Sequence, residues 1–152
     1  MRCCVTTACR SASATTWAKA MPGPARAGAL IYASNLQNLS AFYQQVLSMR
    51  LLFADAEHEV IESADLQVVL HAIPAAYRPQ ASGDQAVEVR EQQAIKLFFT
   101  ITSLAMTETV IADLGGRMLG GEYTGPGFRV RNACDPEGNV FQVRETTAAP
   151  SN

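Results

Sequence analysis

Five side chains in the body of this 152-residue chain have the chemistry of a small-molecule site: Tyr32, His71, Lys96, Gln142 and Arg144. A lysine drawn partly out of water can take or give a proton, so Lys96 is a candidate acid or base with His71 or Tyr32 as its partner. Lys96 can instead anchor an anion, while Gln142, with a neutral carbonyl, and Arg144 are further polar points. Nothing in their spacing demands catalysis, and each has a plainer role open to it. Lys96 begins a strand and can point to solvent, because lysine is rarely buried without a partner. His71 stands near a strand end before Pro74, where a satisfied surface histidine is the commoner case. Arg144 can pair with Glu145 or a carboxylate across the hairpin, a contact worth little at a surface, and Tyr32 can be a rim aromatic. Cys134 sits alone beside a tight turn and reads as a small hydrophobe rather than a nucleophile. Gly120, Gly121, Gly125 and Gly127 around Tyr123 suggest a flexible loop; they lack the strand-to-helix setting of a phosphate-binding loop.

The bulk numbers narrow the partners. Length suggests one compact domain, able to bury about two-thirds of its unfolded surface. The 48% apolar and 17% charged shares are those of a globular chain, and a net charge of −2 gives no pull toward nucleic acid or an anionic membrane. No apolar run approaches the ~18 residues that span a bilayer. Charge is uneven, however: no acid precedes Asp55, while Arg2, Arg10, Lys19, Arg26 and Arg50 do. Residues 1–27 are rich in Ala, Ser, Thr and Cys and hold Cys3, Cys4 and Cys9. An Arg- and Ser-rich, acid-poor start is compatible with a presequence, but no continuous apolar region marks a secretory signal. The expectation is a disordered tail, or a start upstream of a natural Met21, with no part in the fold. Four cysteines so placed form neither a disulfide framework nor a paired zinc pattern, which points to a reducing cytoplasm.

The elements that must position these side chains occur twice. Ala29–Ala33 is a short apolar run, followed by Ser34 and Asn35, which suit a helix N-cap. Leu36, Leu39, Phe42, Tyr43, Val46 and Leu47 then recur at helical spacing. Leu97–Ile101 is a second such run, capped by Thr102 or Ser103, with Leu104, Val110, Ile111 and Leu114 on a helix that Gly115 and Gly116 end. Aligning Leu36 with Leu104 superimposes the two strand–cap–helix units without a gap. Strand-like stretches follow each helix: Met49–Phe53, Glu59–Ser63 and Leu66–Ala72, then Arg117–Leu119, Gly127–Asn132 and Asn139–Glu145. Asp135-Pro136-Glu137-Gly138 is a strong turn signal between the last two, making them a hairpin. Pro74–Gln93 reads as a linker, with Glu88, Arg90 and Glu91 as a solvated charged stretch.

The run Tyr32-Ala33-Ser34-Asn35-Leu36 leading to Ala41-Phe42-Tyr43 and Val46-Leu47 resembles the opening of a glyoxalase-type module. Asp135-Pro136-Glu137-Gly138-Asn139-Val140-Phe141-Gln142-Val143 resembles that module's closing hairpin and is the more specific of the two. The chain is thereby similar to the glyoxalase, bleomycin-resistance and dioxygenase (vicinal oxygen chelate) superfamily over residues 28–146. The resemblance implies an α+β fold of two βαβββ modules forming a cupped, largely antiparallel mixed sheet with helices on the outer face. Module one would span 28–73, the linker 74–94 and module two 95–146, with 147–152 as a tail. In metal-bearing members four inward positions hold the ion, and these fall on Gly28, Val69, Lys96 and Gln142. Such a set offers at most one neutral ligand atom where a catalytic divalent site normally needs about three protein ligands, so no metal and no cofactor are expected. Many relatives pair as homodimers in which each cup borrows a module from its neighbour, and a homodimer is the expected assembly.

Strand alternation names the face that looks into the cup. Leu97, Phe99 and Ile101 should pack under the helices, leaving Lys96, Phe98 and Thr100 inward. Val68 and Leu70 should likewise oppose Gln67, Val69 and His71, and Phe141 and Val143 oppose Val140, Gln142 and Arg144. The expected ligand-binding set is Tyr32, Val69, His71, Lys96, Phe98, Gln142 and Arg144, apolar walls with a few polar anchors. Three functions then compete. The first is a protein binding a small aromatic or amphipathic organic molecule. The second is a metal-free or metal-dependent lyase, isomerase or dioxygenase, and the third an interaction module whose cup is filled by side chains. Lys96→Ala separates the first two: it abolishes turnover if Lys96 carries the proton and only weakens binding if Lys96 anchors an anion.

Overall fold

The structure is a computed structural model and describes residues 27–78 and 87–147. The expectations for a terminal extension, for part of the linker and for the tail beyond Thr147 therefore fall outside the described residues. The elements run β1 (Gly28–Ala33), α1 (Leu36–Val46), β2 (Arg50–Ala54), β3 (His58–Glu62) and β4 (Gln67–Ala72). After the linker come β5 (Phe98–Ile101), α2 (Leu104–Asp113), β6 (Arg117–Gly125), β7 (Phe128–Cys134) and β8 (Val140–Thr146). Each half is βαβββ, so the doubled α+β layout read from the sequence is the observed one.

Both helices begin where the cap residues place them. The Asn35 side chain accepts from the Asn38 N–H at 3.1 Å, and the Ser103 hydroxyl accepts from the Met106 N–H at 3.4 Å, each satisfying a donor the first turn leaves open. Gly115, just past α2, has φ +81°, the left-handed conformation that ends helices. Acidic side chains from the last hairpin complete both N-termini. Glu137 accepts from the Ser34 and Asn35 N–H groups at 2.8 and 2.7 Å, and Glu145 accepts from the Leu104 N–H at 2.8 Å. A carboxylate there meets open amides and the positive end of the helix dipole together.

The strands form two four-stranded sheets, ordered β1-β4-β3-β2 and β5-β8-β7-β6. In each, the first strand lies parallel to the last, and the remaining pairs are antiparallel. Corresponding positions match: Leu30 stands opposite Val69 in one sheet as Phe98 stands opposite Gln142 in the other. The expected single curved sheet is thus two sheets whose hydrogen bonding stops at the outer edges of β1 and β5. One core serves both: Leu39, Phe42, Ile61, Val68, Leu70, Ile111 and Val143 are fully buried within one cluster. Phe42 of α1 meets Phe141 of β8 edge-on at 6.0 Å, tying the modules together.

Two further expectations need correction. The glycines around Tyr123 form no loop; they lie in β6 as far as Gly125. The pairing with β7 shifts between Met118 and Glu122, and Gly121 absorbs the irregularity at φ +87°, so the glycine signature is that of a bulge. Beyond it Glu122, Tyr123 and Thr124 pair with Arg131, Val130 and Arg129. Nor is the charged stretch around Arg90 merely solvated. The Arg90 N–H donates to the Gly138 carbonyl at 2.9 Å and its guanidinium to Asn139, while Gln93 bonds the Val140 backbone. This segment straps the turn that opens β8.

Candidate functional site

The helices cover one face of each sheet and leave the other open, so alternation sorts the candidate residues as expected. Val68 and Leu70 are fully buried, while Val69 and His71 between and beyond them are half-buried on the open face. Three of the expected residues meet on the first sheet. Tyr32 pairs with His71, their rings 5.4 Å apart, and Val69 is one pleat away opposite Leu30. The register of β3 adds a residue the sequence reading missed: His58 lies directly opposite His71, with ring centroids 4.3 Å apart. Asp55 joins through its Oδ1, which lies 3.3 Å from His58 Nδ1 and accepts from the Glu57 and His58 N–H groups. The Glu57 amide bond, with the bonds to His58, holds the Asp55 carboxyl below its ordinary range.

Phe98, Gln142 and Arg144 meet on the second sheet. The Arg144 guanidinium lies over the Phe98 ring at 4.7 Å and the Phe128 ring at 5.3 Å, and its Nη2 donates to Thr100 at 3.2 Å. Its Nε is buried with no hydrogen-bond partner among the described residues. The Gln142 amide donates to Asn132 Oδ1 at 3.1 Å. Phe128 and Asn132 also escaped the sequence reading; a register for β7 would have revealed both, and alternation within one strand does not supply a register. The plainer alternative for Arg144, a pairing with Glu145, does not form. Successive residues point to opposite faces, and Glu145 binds Arg129 at 3.0 Å on the helix side. The Leu104 amide, and after it that contact with Arg129, lower the Glu145 pKa.

Of the expected residues, Lys96 shares a cleft only with Phe98. It is exposed, precedes β5, and lines a cleft of about 630 Å³ with Phe98, Met49 and the Ser63–Leu66 turn. A second cleft of about 640 Å³ lies along the free edge of β1, between Leu30, Tyr32, Tyr43, Gln93 and Phe141. Each cleft therefore sits where the first strand of one module faces the closing hairpin of the other. The first-sheet and second-sheet groups do not share either one.

The turn between β7 and β8 holds this seam. Asp135 is buried and accepts from the Tyr43 hydroxyl at 2.9 Å, from the Glu137 and Asn139 N–H groups at 2.9 Å each, and from Asn139 Nδ2 at 2.8 Å. Burial pushes its carboxyl up and these bonds pull it back in part, while burial beside Asp135 drives the Tyr43 phenol well up. The turn motif is thus a latch on the helix of the other module.

The positions that would hold a metal in the resembled superfamily do not fit one here. Gly28 has no side chain, and a Cβ added there would lie 3.2 Å from the Gln67 carbonyl. Val69 is hydrocarbon, Lys96 is an exposed ammonium, and the Gln142 amide is engaged by Asn132. Among the described residues no group of three or more His, Cys, Asp or Glu side chains could hold an ion.

No family model matches the chain, and no curated protein does. Solved structures do match. A glyoxalase/bleomycin resistance protein/dioxygenase family enzyme from Burkholderia phytofirmans aligns with TM-score 0.61 and 18% identity over 79% of this chain and 97% of that one. The fosfomycin resistance protein FosX from Listeria monocytogenes aligns with TM-score 0.57 and 16% identity over 80% and 91%. A glyoxalase/bleomycin resistance protein from Albidiferax ferrireducens gives 0.57 and 14% over 78% and 96%. At such identities the likeness concerns architecture, and function has to be argued from the site. This chain has the fold of the glyoxalase, bleomycin-resistance and dioxygenase proteins.

Proposed function

We propose that the protein binds a small amphipathic organic molecule on the open face of its sheets, with Arg144 as the polar anchor. One observation carries the reading: a guanidinium held over two aromatic rings, 4.7 and 5.3 Å from their centroids, beside a fixed amide pair. A planar cation so ordered presents its remaining donors to a carboxylate or phosphate with little further loss of freedom. Phe98 supplies apolar surface beside it and is 58% exposed, too much for a side chain that only fills a core. Leu30 and Tyr32 on the first sheet are exposed to a similar degree, 54% and 58%. We read this as surface awaiting a ligand and a second copy of the chain, whose sheet would complete the cup. No helix among the described residues is long and apolar enough to cross a membrane. Cys134 is buried with no disulfide partner among the described residues, which suits a reducing cytoplasm.

The alternative acid–base pairing of Lys96 with His71 or Tyr32 has no support in the geometry, because Tyr32 lines the other cleft and His71 lines neither. The test is a thermal-shift and calorimetric panel of aromatic carboxylates against their neutral amides, run on wild type, Arg144→Gln and Lys96→Ala. The expected result is preference for carboxylates, lost about tenfold or more in Arg144→Gln and kept in Lys96→Ala. Equal response to acid and amide, or an unchanged response in Arg144→Gln, refutes the reading. Sedimentation of the wild type decides the second copy: a monomer at all concentrations removes the shared cup.

A further inference from the structure

The chain contains two histidines, and the fold sets their rings edge to face, 77° apart in plane. They are 13 residues apart in sequence, on strands whose register makes His58 and His71 direct cross-strand partners on the open side of the first sheet. Each ring has one nitrogen already engaged. His71 Nδ1 lies 2.9 Å from the Ala72 carbonyl, and His58 Nδ1 lies 3.3 Å from the Asp55 carboxylate. Both partners are acceptors, so both Nδ1 atoms carry hydrogen, and in neutral imidazole the lone pair is then on Nε2. A histidine that donates from one nitrogen to a carbonyl or carboxylate while leaving the other free has the orientation found in metal ligands.

We infer that His58 and His71 form a two-imidazole site for a borderline divalent cation such as zinc, nickel or copper, with Asp55 and the Ala72 carbonyl as the groups that orient the ligands. The site is separate from Gly28, Val69, Lys96 and Gln142, and does not depend on the organic ligand proposed above. With metal–nitrogen bonds of about 2.0–2.1 Å, two imidazoles on one ion have centroids about 5 Å apart; these centroids lie 4.3 Å apart, so binding requires the rings to turn and part slightly to bring both Nε2 atoms onto the ion. Imidazole selects these ions over magnesium or calcium. His58 is 28% exposed, so an ion can reach it. With two protein ligands the remaining positions belong to water or to a bound molecule, which leaves the ion exchangeable and open toward Tyr32.

Two histidines permit a site-resolved test, unaffected by thiols elsewhere in the chain. Long-range proton–nitrogen NMR of the imidazoles in the full-length protein reports tautomer and metal ligation directly. The expected result is both rings in the Nδ1–H form, then both Nε2 signals moving along one saturation curve as zinc is added, with no movement on adding magnesium. His58→Gln should weaken the response of His71 at least tenfold, and His71→Gln that of His58. Asp55→Asn should change the tautomer balance of His58 and weaken zinc by about tenfold, the usual cost of losing an orienting partner. Arg144→Gln, which tests the organic site, should leave the zinc curve unchanged. Rings in the Nε2–H form, separate curves for the two signals, a response that survives either histidine substitution, or no response to zinc overturns the assignment.

Discussion

Tyr43→Phe isolates the contact that joins the two modules. The ring is 3% exposed and packs on Phe42 at 5.3 Å and Phe141 at 5.8 Å, and phenylalanine keeps both contacts. What disappears is the hydroxyl, one of four donors to Asp135, a carboxylate that is itself 2% exposed. Hydrogen bonds to charged groups contribute about 1.5–3 kcal/mol net. Three donors remain, so the lower half of that range applies, about 1.5–2 kcal/mol. With a urea m-value of about 2 kcal/mol/M the unfolding midpoint should fall by about 0.7–1 M at neutral pH. The assay is urea unfolding of wild type, Tyr43→Phe, Asp135→Asn and the double variant. Because the two residues share one hydrogen bond, the losses should be non-additive by more than 0.5 kcal/mol, the level above which contacting residues separate from independent ones. Strict additivity, or a midpoint unchanged in Tyr43→Phe, would mean that this latch contributes nothing and that apolar packing alone joins the modules.

The other predictions use separate features. Glu137→Ala should cost about 1–2 kcal/mol by opening two amides at the start of α1, and hydrogen exchange at Ser34 and Asn35 should quicken while the Leu104 amide stays protected. Gly116→Ala should cost about 1–3 kcal/mol by overpacking, because a Cβ there would lie 2.6 Å from the Cys134 carbonyl and 2.7 Å from Phe42; thermal unfolding reads it directly. Glu145 and Asp135 should show opposite pH signs. The lowered Glu145 pKa gives stability that is present above the carboxylate range and lost as pH falls through its folded value, so the deficit of Glu145→Gln at pH 7 should vanish in acid. The raised Asp135 pKa gives a term present below the carboxylate range and lost as pH rises through its folded value. The stability of Asp135→Asn relative to wild type should therefore improve from acid to neutral pH.

The sequence by itself determined what short-range physics controls. Asn35 and Ser103 mark where the helices start, because the cap acts within three residues. Alternation separates Val68 and Leu70, under the helices, from Val69 and His71 on the open face, because a strand turns its side chains over at every residue. The doubled strand–cap–helix pattern and the Asp135–Gly138 turn were enough for the βαβββ layout. Only the tertiary structure decided what depends on register and on distant contacts. The glycines at 120 and 121 look alike in a bulge and in a loop until β7 is seen to pair beyond them. His58 meets His71, and Phe128 meets Arg144, through pairings that no single strand's pattern contains. Tyr43 reaches Asp135 across 92 residues, so a helix-face aromatic and a turn aspartate become one buried hydrogen bond. The same limit divided the expected site. Alternation gives the face on which each residue lies but not which faces share a cavity, so Lys96 stood with His71 in the pattern and apart from it in space.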